Sequence, residues 1–116
     1  VNVAASLVTA GRALLHRSPA PEWVVVSLGR EGALFLTHEQ ALHAHPLPVT
    51  VTSTVGAGDA MVAGLVAARL ENRSLIETAQ LATAFSAAKL TRLGPHLPHP
   101  AEVCALAKEV TVSVID

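Results

Sequence analysis

The sequence is poor in aromatic residues, cysteine and charge, and each shortage excludes a class of protein. Aromatic residues make up 3% of the 116 residues and Tyr is absent, which argues against a surface on which nucleic-acid bases stack. The single cysteine, Cys104, cannot form an internal disulfide, as is typical of the reducing cytoplasm. The net charge of -1 provides neither a basic surplus for nucleic acid nor an acidic tail for a basic partner.

Hydrophobic residues make up 51% of the chain, yet they never form a run as long as a membrane span. The longest apolar stretches, such as residues 24–26, have the length of a strand. The first residues lack the basic segment and apolar core of a signal peptide. We therefore expect a globular, cytoplasmic chain with no membrane partner. Because it begins at Val1 rather than Met, we also expect a processed chain or a piece of a longer protein.

The order of apolar segments and turn-forming residues predicts an α/β layered fold. Helices are predicted over residues 3–16, 60–70, 75–90 and 100–108, and strands over 23–28, 33–37, 41–45, 49–54 and 110–114. The consecutive apolar residues of 23–28 are typical of a parallel sheet. The tight turns that follow predict a local antiparallel run on this mostly parallel sheet. Ser74 and Glu77 have the spacing of a capping box.

The most informative motif is Ser-Thr-Val-Gly-Ala-Gly-Asp at 53–59, between a predicted strand and a helix of small residues. Gly56 and Gly58 let the backbone approach a ligand closely, and the first amides of a helix favour an anion. Asp59, beside these amides, could accept a proton from an attacking hydroxyl. The pattern indicates either a site for a transferring phosphoryl group or a helix start that Asp59 merely caps.

A second glycine-containing segment, Ser-Leu-Gly-Arg-Glu-Gly at 27–32, follows a predicted strand. Its glycines again permit close approach of a ligand, and Ser27 offers a hydroxyl. Ligands of α/β proteins gather at the carboxyl ends of strands. An ordinary tight turn between two strands is the alternative interpretation, and the segment alone favours it.

Taken together, the segments 27–33, 53–61 and 90–94 resemble the C-terminal part of the ribokinase-like (PfkB) sugar kinases, in the same order and with the same separation. The resemblance covers residues 22–98. It implies a ribokinase-like fold, a mostly parallel sheet flanked by helices. Residues 1–116 would be the C-terminal part of one kinase domain. The N-terminal part of that domain, which carries the lid, most sugar contacts and an acidic magnesium-linked motif, has no counterpart in this sequence.

The resemblance also implies a role for particular residues. The amides of Gly56, Ala57 and Gly58 would form the anion hole for the phosphoryl group, and Asp59 would contact the sugar and act as the catalytic base. The nucleotide-binding residues would be Ser27, Leu28, Gly29, Arg30, Glu31, Gly32 and Gly58. The adenine side would be lined around Ala84, Ala87, Ala88 and Thr91.

The activity that the resemblance implies is phosphoryl transfer from ATP to the hydroxyl of a phosphosugar, with Mg²⁺ bridging the nucleotide phosphates and no metal site on these residues. Ser-Thr-Val before the motif and Met61–Gly64 after it are similar to the hexose-phosphate branch. Within this branch, residues 27–34 and 90–94 look most like the kinases that act on fructose 1-phosphate. Kinases of tagatose 6-phosphate or fructose 6-phosphate are alternatives. A truncated, non-catalytic nucleotide-binding or structural remnant is a further alternative, and the isolated chain could then be inactive. A full-length parent would be a homodimer.

Several other polar residues have two interpretations. Lys89 and Arg92 either neutralise nucleotide phosphates or form the solvated end of a helix. The side chain of Arg30 either contacts ATP or points to water. His43 and His45 share a strand face, but no third ligand is evident, so we expect an exposed pair rather than a metal site. The remaining predictions are solvated loop positions for His96 and His99, and packing positions for Met61 and Cys104.

Overall fold

The computed structural model describes residues 3–18, 21–52, 54–91 and 99–115. In chain order the elements are α1 (Val3–Leu15), β1 (Val24–Ser27), a short 3₁₀ turn (Gly29–Glu31), β2 (Ala33–Leu36), β3 (Ala41–Ala44), α2 (Ala57–Leu70), α3 (Leu75–Leu90), α4 (Pro100–Ala107) and β4 (Val112–Val114). All the predicted helices are present. The start of α2 lies within the glycine motif and earlier than predicted.

The sheet has the order β1-β2-β3-β4, and each neighbouring pair is antiparallel. The predicted antiparallel run is therefore confirmed. A parallel pair, which the apolar run at 23–28 predicts, does not occur among the described strands. The reason is that β1 lies at one edge of the sheet, where its valines are half-buried and its described partner is β2.

Two layers of helix cover the sheet. Leu34 and Leu36 of β2 pack with Val8 and Leu15 of α1 on one face. On the other face, Phe35 of β2 packs in a cluster that includes alanines of α3. Because β2 is buried on both faces, its four residues are all apolar, and burying one such large side chain contributes about 1.5–3 kcal/mol. The predicted α/β layered fold is confirmed.

The strand predicted over 49–54 is wrong. Its alternating Val and Thr residues have the pattern of a strand, but Val49 donates a backbone hydrogen bond to Leu47 O at 2.9 Å. Further along, Thr52 donates to Leu90 O at 2.7 Å. The segment is therefore tied to the end of α3 instead of pairing with a strand, and Pro46 and Pro48 before it offer no N–H to a ladder.

Helix α3 is in close contact with helices on two sides. A Cβ added to Gly64 of α2 would lie 2.8 Å from Ala82 Cα of α3, so the two backbones approach closely. On its other side, Ala84 and Ala88 pack against Val103 of α4. This packing exposes Cys104, the next residue of α4, so the prediction that Cys104 is a core residue is wrong.

The capping box at the start of α3 is confirmed. Ser74 Oγ accepts a hydrogen bond from Glu77 N, and Glu77 Oε1 accepts one from Ser74 N, both at 3.2 Å. These hydrogen bonds to Ser74, together with the positive charge of Arg73, lower the pKa of Glu77 below its ordinary value.

The lowered pKa of Glu77 predicts a pH dependence of stability. A carboxyl with a lower pKa in the folded than in the unfolded state stabilises the fold above its unfolded pKa, and this contribution is lost as the pH falls through the folded pKa. Since Gln does not titrate, the free energy of unfolding of Glu77→Gln should fall less than that of the wild type between about pH 7 and about pH 3. Urea unfolding at both pH values measures this difference, and Glu39→Gln is the control for replacing an exposed carboxyl group. Equal losses in Glu77→Gln and the wild type would contradict the prediction.

Candidate active site

A cleft of about 520 Å³ lies between the 3₁₀ turn, the segment 46–49 and the start of α2. It brings the two glycine segments of the sequence together. Ser27, Gly29, Arg30 and Gly32 line it from one segment, and Ala57 and Gly58 line it from the other. Two regions that are distant in the chain therefore face the same space.

The turn at 28–32 is closed by its own backbone. Leu28 N donates to Gly32 O at 2.8 Å, and Glu31 N donates to Leu28 O at 3.2 Å. Gly29 and Gly32 have φ values of 61° and 93°, which only glycine adopts without strain. A Cβ on Gly32 would lie 2.0 Å from the carbonyl oxygen of Ala44, whereas one on Gly29 would meet nothing within 4 Å.

His43 of β3 is hydrogen-bonded to this turn. Its Nε2 lies 2.7 Å from the carbonyl oxygen of Glu31, so the nitrogen donates and the ring is in the Nε2–H form. His45 Nε2 lies 2.8 Å from Ser113 Oγ, and the two rings are 4.3 Å apart. Both histidines are half-buried, so the expectation of an exposed pair is wrong. Among the described residues there is no group of three potential metal ligands.

The two glycines of the turn form a matched pair for mutation. Gly29→Ala should destabilise the protein by about 1–2 kcal/mol, the cost of a left-handed conformation for a residue with a Cβ. Gly32→Ala should cost clearly more, because its Cβ also collides with backbone. Chemical denaturation of both variants measures the difference, and equal destabilisation would mean that the turn relaxes away from Ala44.

The start of α2 leaves backbone donors without an acceptor beside the cleft, among the described residues. Gly56, at the N-cap position, has a left-handed φ of 81°, and no side chain among the described residues caps the helix. Ala57 N donates to Thr54 O at 3.3 Å, whereas the amides of Gly56 and Gly58 have no backbone acceptor among the described residues. Asp59 is exposed in the first turn. The interpretation of Asp59 as a mere cap is therefore not supported.

Lys89 is buried beneath this loop. Although it lies in the last turn of α3, it is 4% exposed, so its interpretation as a solvated helix end is wrong. A Cβ added to Gly56 would lie 3.0 Å from Lys89 Cε and 3.9 Å from its Nζ. The lysine therefore carries positive charge to the underside of the glycine loop, and its place at a helix C-terminus is favourable for a cation.

Four of the residues assigned to the site do not line the cleft. Leu28 packs with the cluster against α1, and Glu31 is exposed with its carbonyl bound by His43. Gly56 faces Lys89, and Asp59 lies beside the cleft at the start of α2. Arg30 is exposed and lines the cleft.

Of the four residues predicted for the adenine side, Ala87 lies at the cleft, where it lines an adjoining volume of about 60 Å³, whereas Ala84 and Ala88 face α4. Thr91 is exposed and donates its hydroxyl to Ala88 O at 2.8 Å. The prediction placed Ala84 and Ala88 on the wrong face of α3. Because small residues occur nearly all round this helix, its composition does not identify the face that meets the cleft.

Sequence reasoning missed several residues that line the cleft. Thr83, Ser86 and Leu90 of α3 line the adjoining volume, and residues 46–49 form one wall of the cleft. The only signal was Pro-Leu-Pro at 46–48, which indicates a rigid extended connector. Met61 packs against the core, as predicted, and also lines the cleft. Exposed His99 caps α4 by accepting from Ala101 N.

Some predicted positions lie outside the described residues, namely Ser53, Arg92, Leu93, Gly94 and His96. In the part of the chain that the structure describes, no helix is long and apolar enough to cross a membrane.

Comparison with known proteins defines the class of protein first. Phosphofructokinase-2 from Escherichia coli, solved in complex with potassium, matches with a TM-score of 0.81 and 32% identity over 89% of this chain and 33% of that chain. The fold of this chain therefore corresponds to part of a sugar-kinase fold. The family model described as "pfkB family carbohydrate kinase" matches residues 3–102, and the chain belongs to this family.

Two curated relatives within the family are named as phosphofructokinases. A 1-phosphofructokinase of Rhodobacter capsulatus is 50% identical over 92 residues, which are 79% of this chain and 29% of that relative. An ATP-dependent 6-phosphofructokinase isozyme 2 of Mycobacterium tuberculosis is 42% identical over 85 residues, which are 73% of this chain and 25% of that relative. The chain thus spans less than a third of the length of the curated relatives it matches.

Proposed function

We propose that the protein carrying these residues is an ATP-dependent phosphofructokinase, and that its acceptor is fructose 1-phosphate. The observation that carries the proposal is the single cleft lined by both glycine segments. Relatives at 50% and 42% identity carry the two phosphofructokinase names. The greater identity favours fructose 1-phosphate, with fructose 6-phosphate as the second candidate and tagatose 6-phosphate as a third.

The start of α2 is suited to stabilise a phosphoryl group during transfer. The amides of Gly56 and Gly58 have no backbone acceptor among the described residues, and the helix dipole adds positive potential at this end. Lys89 adds a full charge below the same loop. Fixed donors of this kind stabilise charge that develops on the transferring group.

Asp59 is the proposed catalytic base. Its exposed carboxylate lies in the first turn of α2, next to these amides. There it would accept the proton of the sugar hydroxyl as the hydroxyl oxygen bonds to the γ-phosphorus and the bond to the β-phosphate breaks. Mg²⁺ is proposed to enter as part of the Mg·ATP co-substrate, on which it neutralises phosphate charge. The acidic, histidine and cysteine residues of the described chain form no cluster of their own for a metal.

We further propose that residues 1–116 are the C-terminal part of one kinase domain, with the lid and most sugar contacts supplied by other parts of the polypeptide. The share of the relatives that this chain matches, 29% in one case, supports this division. In such a protein the described cleft would serve the nucleotide, and the complete enzyme would be a homodimer. A non-catalytic, nucleotide-binding remnant is the competing function.

Replacing Asp59 tests the proposed mechanism. In the complete natural polypeptide that carries these residues, Asp59→Asn should lower kcat about 10²- to 10⁴-fold, because the general base is lost. The affinity for Mg·ATP should change little, since the cleft walls are intact. A coupled assay for ADP with fructose 1-phosphate, fructose 6-phosphate and tagatose 6-phosphate as acceptors measures activity and preference together.

Glu71→Gln, at the other end of α2, is the matched control and should keep full activity. Full activity of Asp59→Asn would overturn the role of Asp59. A wild-type protein that binds Mg·ATP but phosphorylates none of the three sugars would instead favour the non-catalytic remnant.

A further inference from the structure

Thr83 carries a buried hydroxyl that the fold leaves without a partner. The residue is 5% exposed, and its Oγ1 has no hydrogen-bond partner among the described residues. Buried hydroxyl groups in folded proteins nearly always form a hydrogen bond. A threonine within a helix commonly donates to the carbonyl four residues earlier, as Thr78 of the same helix does to Ser74 O at 2.8 Å. An unpaired hydroxyl at Thr83 therefore needs an explanation.

The position of Thr83 supplies one. It lines a smaller volume that adjoins the cleft, about 60 Å³, but not the cleft of about 520 Å³ itself. Ser86 and Leu90 line both volumes, so the two are continuous along one face of α3. The walls opposite Thr83 come from the glycines of the 3₁₀ turn, from Pro46 and Leu47, and from Met61. Thr83 thus lines a small part of the cleft whose other walls are largely apolar.

The cleft is polar at one end and apolar at the other. The amide of Gly58, which lines the cleft and has no backbone acceptor among the described residues, and the charge of nearby Lys89 favour an anion at the α2 end. The apolar walls of the cleft favour an uncharged planar group, and the hydroxyl residues Thr83 and Ser86 among them provide orientation and specificity. A nucleoside triphosphate has this same polarity, with charged phosphates at one end and a flat base at the other.

We propose that the Thr83 hydroxyl forms a hydrogen bond with the edge of the nucleobase and thereby contributes to the choice of nucleotide. This inference rests on the proposed function, in which the cleft binds ATP. Thr83 would be a specificity residue and not a member of the reacting group. A site built to hydrogen-bond one group of a ligand discriminates against a ligand that lacks it.

Three variants of the complete polypeptide separate this role from a structural one. Thr83→Val keeps the shape of the side chain but removes the hydroxyl, and Thr83→Ser keeps the hydroxyl. Thr78→Val removes a buried hydroxyl on the same helix that is already bonded within the protein. Calorimetric titration with Mg·ATP and with inorganic triphosphate measures the affinity for a ligand with a base and for one without it. Thermal unfolding without ligand measures stability.

We expect Thr83→Val to weaken Mg·ATP binding by about threefold to tenfold, the effect of one hydrogen bond. Binding of inorganic triphosphate should be unchanged, and Thr83→Ser should stay within about twofold of the wild type for both ligands. In turnover, the KM for ATP should rise while kcat is kept. The midpoint of unfolding of ligand-free Thr83→Val should not fall, because no hydrogen bond is lost. Thr78→Val should show the opposite pattern, with a lower midpoint and unchanged affinity for Mg·ATP.

Two results would overturn the assignment of Thr83 alone. One is unchanged affinity of Thr83→Val for Mg·ATP when the wild type binds it. The other is an equal loss of affinity for Mg·ATP and inorganic triphosphate, which would mean that the substitution acts through the fold. If the folded wild type binds neither ligand, the proposed function fails, and the assignment of Thr83 fails with it.

Discussion

Close packing of α3 against its neighbours is the constraint on which both the fold and the cleft depend. Alanines of α3 pack in the same cluster as Phe35 of the sheet, Ala82 approaches Gly64 of α2, and Ala84 and Ala88 contact α4. Only small side chains allow one helix to approach three layers at once. The same helix then supplies one wall of the cleft through Thr83, Ser86 and Leu90, so a larger residue in this helix would disturb packing and site together.

The end of α3 also fixes the loop in which the proposed chemistry lies. Leu90 O accepts a hydrogen bond from Thr52 N, which ties down the segment leading to the glycine motif. The buried Lys89 side chain fills the space beside Gly56, where any Cβ would lie only 3.0 Å from it. Gly56 is therefore favoured by its left-handed φ of 81°, and a Cβ there would also press on the end of the lysine side chain. Loop conformation and positive charge are thus set by one helix end.

Local signals in the sequence predicted what local physics decides. The helices and the capping box of Ser74 and Glu77 follow from periodicity and hydrogen-bonding side chains, whereas a common site for the two glycine segments was what the resemblance to the PfkB kinases implied. The strand at 49–54 could not be excluded from the sequence, because its alternation is that of a strand while its actual partner is the end of α3. The orientation of Ala84 and Ala88 and the burial of Lys89 depend on the phase of α3 against α2 and α4, which alanine-rich composition does not encode.

Backbone conformations that only glycine adopts freely are concentrated around the cleft. All the described glycines with positive φ, namely Gly29, Gly32 and Gly56, belong to the two motif segments that meet there. An unpaired buried hydroxyl, that of Thr83, belongs to a residue that lines the same space, and a buried lysine, Lys89, lies beside Gly56 in the loop that borders it. The positive φ angles, the unpaired hydroxyl and the buried lysine each cost free energy of folding. Elsewhere in the described chain, the capping box and the apolar clusters satisfy hydrogen bonds and bury apolar side chains as expected of a stable fold. The coincidence of these costs at one cleft is the physical argument that the cleft is the functional part of the molecule.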